Sequence, residues 1–553
     1  MANTEGHRRR LTSLTGVNLL QWLTALMPIL SVAILLVGLR MPAGRAMPLA
    51  LVITVVLTLL VWQVDGTYVS ASIVEGLIIA ASVVWIVLGA IGLLFVMRAT
   101  GGVDAIRMEF HDLTADSRVQ GLLVGWLFVC FIEGAAGFGT PAPVAAPLLI
   151  ALGFPALPAV ALALIADVSA VTFGAVGTPI LVGIAQGVGL NPKVPEEYAE
   201  LQDITLTAAG IDIVVGVIVP VAMMWLLTTK FAKNPSKQAF REVVPLAIVA
   251  ALLYSVPAWL STRFIGIEFG GILGGLIGMI GFYFLIKAGL LIPKRTWTVT
   301  GGYEEGTEQA GDDPAHHGWP AWKVWGPYLL LTALLLISRL VPPIQEALQS
   351  VAVGLTDIFG TGLSSTFEPF YSPGFIFLIV MVVTALVQGL RSEQLGPTAK
   401  KIGASVGGTA LVLAAAVPLV RVFLNSEVND AGLMSMPLEL AAAASDSLGE
   451  AWPVAAPFVG ALGSFVSGSA TFSHLMFAEL QSNIAGQLEL NETVVLAQQV
   501  GGANAGNMIC VSNVVAVAGV TGLLGQEGHI IRNTALVMVA YSGLFAVAGM
   551  LLA

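Results

Sequence analysis

Long apolar segments separated by short polar loops recur along the whole chain. A helix needs about 20 mostly apolar residues to cross the hydrocarbon core of a bilayer, and many segments here approach or exceed that length. We therefore predict an all-α polytopic membrane protein. The predicted spans are residues 19–39, 47–64, 69–97, 204–228, 243–260, 264–292, 322–341, 373–390, 403–424 and 530–553.

Two blocks depart from this pattern because Gly, Pro, Ser, Thr and Asn interrupt their apolar runs. The first contains FIEGAAGFGTPAPVAAPLL and ADVSAVTFGAVGTP, and the second contains GALGSFVSGSATFSHLMFAELQ and QQVGGANAGNMICVSNVV. Gly139 and Gly177 are 38 residues apart, as are Gly468 and Gly506. Backbone broken at membrane depth is tolerated where it is buried in protein or lines a cavity. Matched breaks in two halves therefore indicate a transporter's substrate site.

Each block predicts a re-entrant helical hairpin followed by an interrupted crossing. Residues 434–450 are predicted to form a short interfacial helix, and residues 351–370 are either a surface helix or part of a crossing. The first predicted repeat half is 1–292, with a hairpin at 121–153 and a broken helix at 155–189 that is interrupted at 173–179. A polar linker follows at 293–321. The second repeat half is 322–553, with a hairpin at 453–480 and a broken helix at 494–520 that is interrupted at 501–507.

The distribution of Lys and Arg predicts how the halves are oriented, because basic short loops mark the cytoplasmic side. If each hairpin leaves the membrane on the side where it entered, the basic loops share one side. The loops at 191–203 and 425–452, which are poor in Lys and Arg, fall on the other. The first hairpin then enters from the cytoplasm and the second from outside, which is the topology of inverted repeats. The basic run at 7–10 disagrees, so either the start is a surface helix or the first span is miscounted. We expect that span to be retained as an anchor.

Composition narrows the function classes. The chain is 56% hydrophobic and 10% charged, whereas soluble domains carry about 25% charged residues. Its net charge of −10 argues against nucleic acid as a partner. Cys130 and Cys510 lie in apolar segments and are expected to be small core residues. No cluster of three acidic residues predicts a divalent metal, no cofactor is expected, and the sequence does not give the oligomeric state.

The breaks supply groups that suit a small organic anion. A helix start leaves N–H groups unpaired and carries a partial positive charge, and proline can open such a helix. Two Gly-Thr-Pro motifs place a threonine hydroxyl beside a new helix start, where a carboxylate would be stabilised. Close helix packing by small residues is the alternative for each motif. The substrate-binding candidates are Gly139, Thr140, Pro141, Gly177, Thr178, Pro179, Ser467, Gly468, Ser469, Thr471, Asn504, Gly506 and Asn507.

Ionisable residues within spans are costly and indicate function. Asp167, Glu133 and His474 are the candidates for carrying a proton. Glu133 directly precedes the first hairpin tip and could instead cap it, whereas Asp167 is expected about three turns before the interruption of its helix. Arg421 and Asp212 are candidates for balancing charge, with a structural partner pair or an interface position as the alternative.

The motifs EGAAGFGTP, VGTP, GSFVSGSATFSHLMF and GGANAGNM resemble those of the L-lactate permease family, in the same order along essentially the whole chain. The resemblance implies uptake of lactate or glycolate with a proton across the cell membrane. It also implies membership of the larger ion-transporter superfamily, whose members have two inverted hairpin-containing repeats. Related members usually carry Asn or Asp within the second tip and another Asn shortly afterwards, where this chain has Ala470 and His474.

Three other classes of membrane protein are alternatives to a proton symporter. A sodium-coupled dicarboxylate carrier would use a Ser-Asn-Thr tip, and Ala470 weakens that interpretation. An intramembrane serine protease could use Ser467 and His474, but a nucleophile needs an oriented base within reach and the first block has no equivalent pair. An ion channel would not need hairpins facing opposite ways. The sequence does not discriminate between L- and D-lactate.

Overall fold

The computed structural model describes residues 19–32, 34–35, 39, 41–102, 105, 113–137, 139–192, 194–303 and 319–553. Within these ranges eight helices are long and apolar enough to cross a membrane, or nine if one bent pair is counted as a single span. The predicted class, an all-α polytopic membrane protein, is confirmed. The basic run at 7–10 and most of the predicted linker lie outside the described residues.

The first part of the chain holds three helices and then the first hairpin and first broken helix. The leading helices are Leu19–Val32, Ala43–Leu60 and Gly66–Thr100. The first hairpin consists of Ser117–Leu122, the π-helical turns Leu123–Phe128, Val129–Ala136 and the returning helix Pro141–Ala151. The first broken helix consists of Ala156–Ala166, the 3₁₀ turn Val171–Phe173, the kinked segment Gly174–Thr178, the π-helical turns Pro179–Ile184 and Ala185–Val188.

A group of outer helices follows, and a small antiparallel ribbon leads towards the second part. The helices are Pro195–Val215, Ile218–Trp225, the π-helical turns Leu226–Lys230, Lys237–Phe264, the 3₁₀ turn Ile267–Phe269 and Gly270–Lys287. In the ribbon, strand Trp297–Thr298 pairs with Gly302–Tyr303.

The second part repeats the order of helices, hairpin and broken helix. Its helices before the hairpin are Ala321–Leu340, Pro342–Gln349, Pro373–Gln388, Ser392–Leu424, Met436–Leu448 and the 3₁₀ turn Gly449–Ala451. The second hairpin is Trp452–Ser467 and Ala470–Gln487, the second broken helix is Glu492–Asn507 and Val511–Thr521, and the last helix is Glu527–Leu552.

Two predicted segments can now be assigned. Residues 351–370 form neither a crossing nor a surface helix: strand Val353–Leu355 pairs antiparallel with Ser365–Phe367, and a 3₁₀ turn at Ile358–Gly360 lies between them. The predicted interfacial helix at 434–450 is present as Met436–Leu448.

The interrupted segments lie at the centre of the molecule. The windows within Ser117–Ala135 and Glu492–Thr521 are 94% buried, whereas that of the last helix is only 33% buried. The outer helices expose large apolar side chains, such as Leu386 and Leu551, as expected for surfaces that face lipid. Irregular backbone in the two central segments is therefore surrounded by protein, which is the condition for breaking a helix at membrane depth.

Elements from the two parts of the chain pack against each other around these breaks. Helix Val511–Thr521 contacts Pro141–Ala151 of the first hairpin, and Ala185–Val188 packs on the second arm of the second hairpin. Glycine makes one of these approaches possible, since a Cβ atom on Gly187 would lie 2.8 Å from the carbonyl oxygen of His474. Each hairpin is thus held against a broken helix of the other part.

Candidate substrate site

The first hairpin tip turns on two glycines. Gly137 and Gly139 have φ angles of +56° and +70°, a region that glycine adopts without steric cost. The Thr140 hydroxyl donates to the Gly137 carbonyl at 2.9 Å, and helix Pro141–Ala151 begins directly afterwards. Thr140 is fully buried, so its hydroxyl stabilises the turn itself.

The first broken helix is interrupted at its predicted place, 173–179, and also at an additional, earlier position. Helix Ala156–Ala166 ends at Asp167, so this residue lies at the break and not three turns before it. The flanking helical pieces are bent by 63°. The residues at the start of the break bond to other helices through their side chains, which compensates for the lost helical hydrogen bonds. The break is therefore caused by contacts with other helices, since the run ADVSAVTF itself contains no Gly or Pro.

The same segment contains strained backbone further on. Ala175, Val176 and Gly177 have consecutive positive φ angles of 44°, 61° and 77°, and this region is rare for β-branched residues. The Thr178 hydroxyl donates to the Ala175 carbonyl at 2.6 Å. Both Gly-Thr-Pro motifs therefore form the same bond to a carbonyl three residues earlier, and a turn of π-helix begins at Pro179. Such strain persists where the surrounding structure enforces it, often at ligand sites.

The second hairpin tip leaves a helix start open. Helix Trp452–Ser467 ends at Gly468, which has φ +79°, and the second arm begins after Ser469. The Ser469 side chain does not cap this arm. The Ser469 and Thr471 hydroxyls have no hydrogen-bond partner among the described residues. Two hydroxyl groups and the unpaired N–H groups of the first helical turn are thus available to a ligand.

The second break lies after the predicted interruption. Helix Glu492–Asn507 continues through the glycine-rich run and ends at Met508, and the next piece starts after Cys510. Gly502 and Gly506 remain within the helix. Their Cα atoms lie against the backbone of helix Trp452–Ser467, where a Cβ atom would collide. These glycines serve close packing, the alternative that the sequence left open.

Three asparagines link the breaks. Asn507 Nδ2 donates to Asp167 Oδ2 at 2.6 Å, and Asn513 Nδ2 donates to Asn507 Oδ1 at 2.8 Å. Asn504 Nδ2 donates to the Thr172 hydroxyl, also at 2.6 Å. The two broken helices, far apart in sequence, are therefore joined by two short side-chain bonds at the level where both lose helical structure.

Two buried carboxyl groups lie next to these bonds. Glu133 is in the last turn before the first tip, and its carboxyl group lies near that of Asp167. Glu133 Oε2 and Asp167 Oδ1 receive no N–H or O–H donor from the described residues. Two carboxyl groups that lie close together in a buried site are not both ionised at low cost.

Both tips and both breaks meet around one cavity. Of the described residues that line it, none is Lys or Arg, and Glu133 carries the one acidic side chain. The lining residues are Glu133, Gly139, Val171, Gly174, Ala175, Thr178, Pro179, Gly468, Ser469, Ala470, Thr471 and Asn507.

Several predicted site residues stay outside the lining. Asp167 reaches the cavity indirectly, through Glu133 and Asn507. The Ser467 hydroxyl donates to the Gly463 carbonyl at 2.7 Å and faces a second, more apolar cavity. The candidates outside the lining are Thr140, Pro141, Gly177, Ser467, Asn504, Gly506, Asp167, His474, Asp212 and Arg421.

His474 belongs to a buried polar chain behind the second tip. Its Nδ1 atom lies 3.5 Å from Gln499 Nε2, and its Nε2 atom has no partner among the described residues. Gln499 also bonds to Ser473 and accepts from Gln481, which in turn accepts from Trp452. These contacts hold the second hairpin to helix Glu492–Asn507 and do not bring His474 to the cavity.

The other two charged candidates have partners elsewhere. Asp212 Oδ1 accepts from the Tyr541 hydroxyl at 2.5 Å and from the Ser169 hydroxyl at 3.2 Å. Arg421 Nη2 pairs with Glu75, which joins helices Ser392–Leu424 and Gly66–Thr100. Asp212 thus supports the first break through Ser169, and Arg421 belongs to the outer scaffold.

Sequence reasoning missed several residues of the site. Val171 and Ala175 line the cavity as apolar groups, and an apolar residue in an apolar segment gives no signal. Asn513 was detectable, because an amide within a membrane segment indicates a specific partner. The bond from Tyr541 to Asp212 spans 329 residues and could not be read from local pattern.

A cavity between broken membrane-crossing helices, with the Glu133 carboxyl group and an open helix start in its lining, is the arrangement of a membrane transporter. The chain belongs to the L-lactate permease family, whose model matches residues 21–553. It is 27% identical to the putative L-lactate permease of Haemophilus influenzae over 96% of this chain and 98% of that protein.

Two proteins of Escherichia coli are similarly related. Its L-lactate permease is 28% identical, with 93% of each chain covered. Its glycolate permease is 27% identical, with 95% of this chain and 93% of that protein covered. The predicted family is thus confirmed over nearly the whole length.

Proposed function

We propose that this chain takes up lactate or glycolate together with a proton across the plasma membrane. The observation that carries the proposal is the single cavity at which both tips and both breaks meet, with the Glu133–Asp167 pair at its edge. Relatives named for L-lactate and for glycolate transport support a short 2-hydroxymonocarboxylate as the substrate.

The substrate carboxylate binds at the start of helix Ala470–Gln487. The N-terminus of a helix attracts an anion through its unpaired N–H groups and its dipole. The hydroxyls of Ser469 and Thr471, which have no partner among the described residues, add two donors. These groups replace Thr140 and Thr178, which the sequence proposed for this role and whose hydroxyls donate to carbonyls of their own turns. The substrate hydroxyl meets Thr178 or Asn507.

The Glu133–Asp167 pair carries the coupled proton. Two buried carboxyl groups that lie close together cannot both be ionised at low cost, so the pair holds one proton and can release it when the cavity opens to the cytoplasm. An anion entering alone against an inside-negative potential would be opposed by about 2.3 kcal/mol per 100 mV. One proton for each monocarboxylate makes the step electroneutral.

Alternating access moves the two blocks of hairpin and broken helix against the outer helices. Transporters with repeated halves commonly rock one set of elements around a central site. Residues 1–292 and 322–553 would be the two inverted repeats, with the linker at 293–321. The Glu75–Arg421 pair keeps two outer helices together while the blocks move.

The decisive experiment measures uptake of radiolabelled L-lactate into liposomes that contain the purified chain, with pH and sodium gradients imposed separately. We expect a pH gradient that is acidic outside the liposomes to drive accumulation, and a sodium gradient to have no effect. Labelled succinate, a dicarboxylate, serves as the comparison and should not accumulate, since no cation among the described lining residues balances a second charge. Accumulation driven by sodium alone would favour the sodium-coupled alternative.

A further inference from the structure

One wall of the cavity is apolar and consists of residues from both blocks. Val171 of the first broken helix and Ala470 of the second hairpin both line the cavity. They pack with Ala503 into a small apolar cluster separate from the main core. All three are buried. The side chains of this wall, defined here as Val171 and Ala470 backed by Ala503, carry no group that could bind a carboxylate or a proton.

A side-chain hydrogen bond connects the two segments that carry the wall. The Asn504 amide donates to the Thr172 hydroxyl at 2.6 Å, which joins the residue after Ala503 to the residue after Val171. Ala470 is the first residue of its helix and directly follows Ser469. The apolar surface is therefore adjacent to the proposed carboxylate site.

We infer that this wall receives the carbon chain of the substrate and sets how long that chain can be. The inference rests on the proposed function. A 2-hydroxymonocarboxylate has its polar groups at one end and its alkyl group at the other, which matches a cavity with hydroxyls and amides beside one apolar face. Glycolate leaves this face empty, lactate places one methyl group on it, and 2-hydroxybutyrate must fit an ethyl group.

The size of the effect follows from apolar pockets in general. One methylene more or less in a hydrophobic pocket changes discrimination by roughly ten- to 200-fold. Val171→Ala removes two methyl groups from the wall and should favour 2-hydroxybutyrate over lactate by roughly tenfold. Ala470→Val adds two methyl groups and should shift preference towards glycolate by a similar factor.

The test is competition against labelled L-lactate uptake by unlabelled glycolate, L-lactate and 2-hydroxybutyrate in liposomes. The measured quantity is the ratio of inhibition constants, which does not depend on how much protein is active. Val160→Ala is the matched control, because Val160 is fully buried in helix Ala156–Ala166 and does not line the cavity. It should leave the ratios at the wild-type values.

Each outcome decides the inference. Opposite shifts in Val171→Ala and Ala470→Val support the wall, and unchanged ratios in both overturn it. If Val171→Ala does not fold, Val171→Ile replaces it and should shift preference towards glycolate as Ala470→Val does; an unchanged ratio there also overturns the wall. Wild-type protein that fails to take up lactate under either gradient overturns the proposed function and the wall together, whereas failure of the wall alone leaves lactate uptake intact.

Discussion

The proposed proton coupling depends on individual side chains. Asp167 has one oxygen bonded to Asn507, and its carboxyl group lies near that of Glu133. Asp167→Asn keeps an oxygen that can accept from Asn507 but cannot lose or gain the proton. We expect this variant to abolish uphill lactate uptake driven by a pH gradient and to retain exchange of lactate for lactate, both measured in liposomes.

The matched control for this prediction is Glu479→Gln. Glu479 lies on the second hairpin, but its side chain is exposed and does not line the cavity. Neutralising it should leave uphill uptake unchanged. Full uphill uptake by the Asp167→Asn variant would remove Asp167 from the coupling mechanism.

The proposed binding of the substrate carboxylate also depends on individual hydroxyl groups. Ser469 lines the cavity with a hydroxyl that has no protein partner among the described residues, and a hydrogen bond to a charged group contributes about 1.5–3 kcal/mol. Ser469→Ala should therefore raise the apparent Km for lactate by roughly tenfold or more, with a smaller change in maximal rate. Uptake rates at graded lactate concentrations measure both parameters.

Ser467→Ala tests whether the tip in general or the free hydroxyl in particular matters. The Ser467 hydroxyl is already donated to the Gly463 carbonyl, so its removal should change the Km for lactate far less. An equal rise in Km for both serine variants would argue that the effect comes from the shape of the tip and not from a bond to the carboxylate.

At the scale of elements, the fold divides into parts that local pattern predicts and parts that it does not. The hairpins and broken helices were predictable because Gly and Pro interrupt apolar runs that are otherwise long enough to span. The kink at Ala175–Gly177 falls within the predicted interruption, but the break at Asp167 and the one after Asn507 were not predictable. Helix Ala156–Ala166 ends without Gly or Pro, at a residue that bonds to Asn507, and the glycine-rich run around Gly502 stays helical because it packs on another helix.

The candidate site divides in the same way. Polar residues at the tips, such as Ser469 and Thr471, were found because hydroxyls are unusual in apolar segments. Thr140 has the same local motif as Thr178, yet only Thr178 reaches the cavity. The two motifs share Gly-Thr-Pro, so the difference does not follow from the motif itself. Val171 has an apolar side chain in an apolar segment, so its place in the lining could not be predicted from the sequence.

Close packing of the second hairpin on the second broken helix gives a prediction for whole elements. A Cβ atom on Gly502 would collide with the backbone of Pro457, and overpacking typically costs about 1–3 kcal/mol. Gly502→Ala should therefore lower the thermal unfolding temperature of the detergent-solubilised protein. Gly486→Ala is the matched control, because nothing lies within 4 Å of the corresponding Cβ position.

The control should move in the opposite direction, since alanine is favoured over glycine in a helix by about 1 kcal/mol. If Gly502→Ala is as stable as the wild type, the hairpin and the broken helix must be able to separate without cost. The glycine-rich run would then have to be explained by flexibility, contrary to its close backbone contacts.

At the scale of the whole molecule, an ion cluster fixes the base of the first hairpin. Arg118 is fully buried, pairs with Asp116 and Glu242, and donates to the carbonyl oxygens of Ala239 and Arg295. A buried arginine is tolerated when its donors are satisfied in this way. The base of the hairpin, the start of helix Lys237–Phe264 and the chain before the ribbon at 297–303 are therefore held together, so movement of this hairpin is confined to its tip or carries these parts with it.

This cluster permits a direct test of inverted topology. Lys237 is exposed and lies two residues from Ala239, which Arg118 contacts at the base of the first hairpin. Asn483 is exposed near the base of the second hairpin. Because basic loops mark the cytoplasm, we expect a membrane-impermeant thiol reagent to label Lys237→Cys only from the cytoplasmic face and Asn483→Cys only from the outer face.

The two native cysteines do not interfere with this measurement, since Cys130 and Cys510 are both free and buried. Labelling intact cells before and after permeabilisation separates the faces, and unmodified protein gives the background. Labelling of both introduced cysteines from the same face would mean that the two hairpins enter the membrane from the same side. The halves could then not be inverted copies, and the cavity between their tips would need a different route to each side of the membrane.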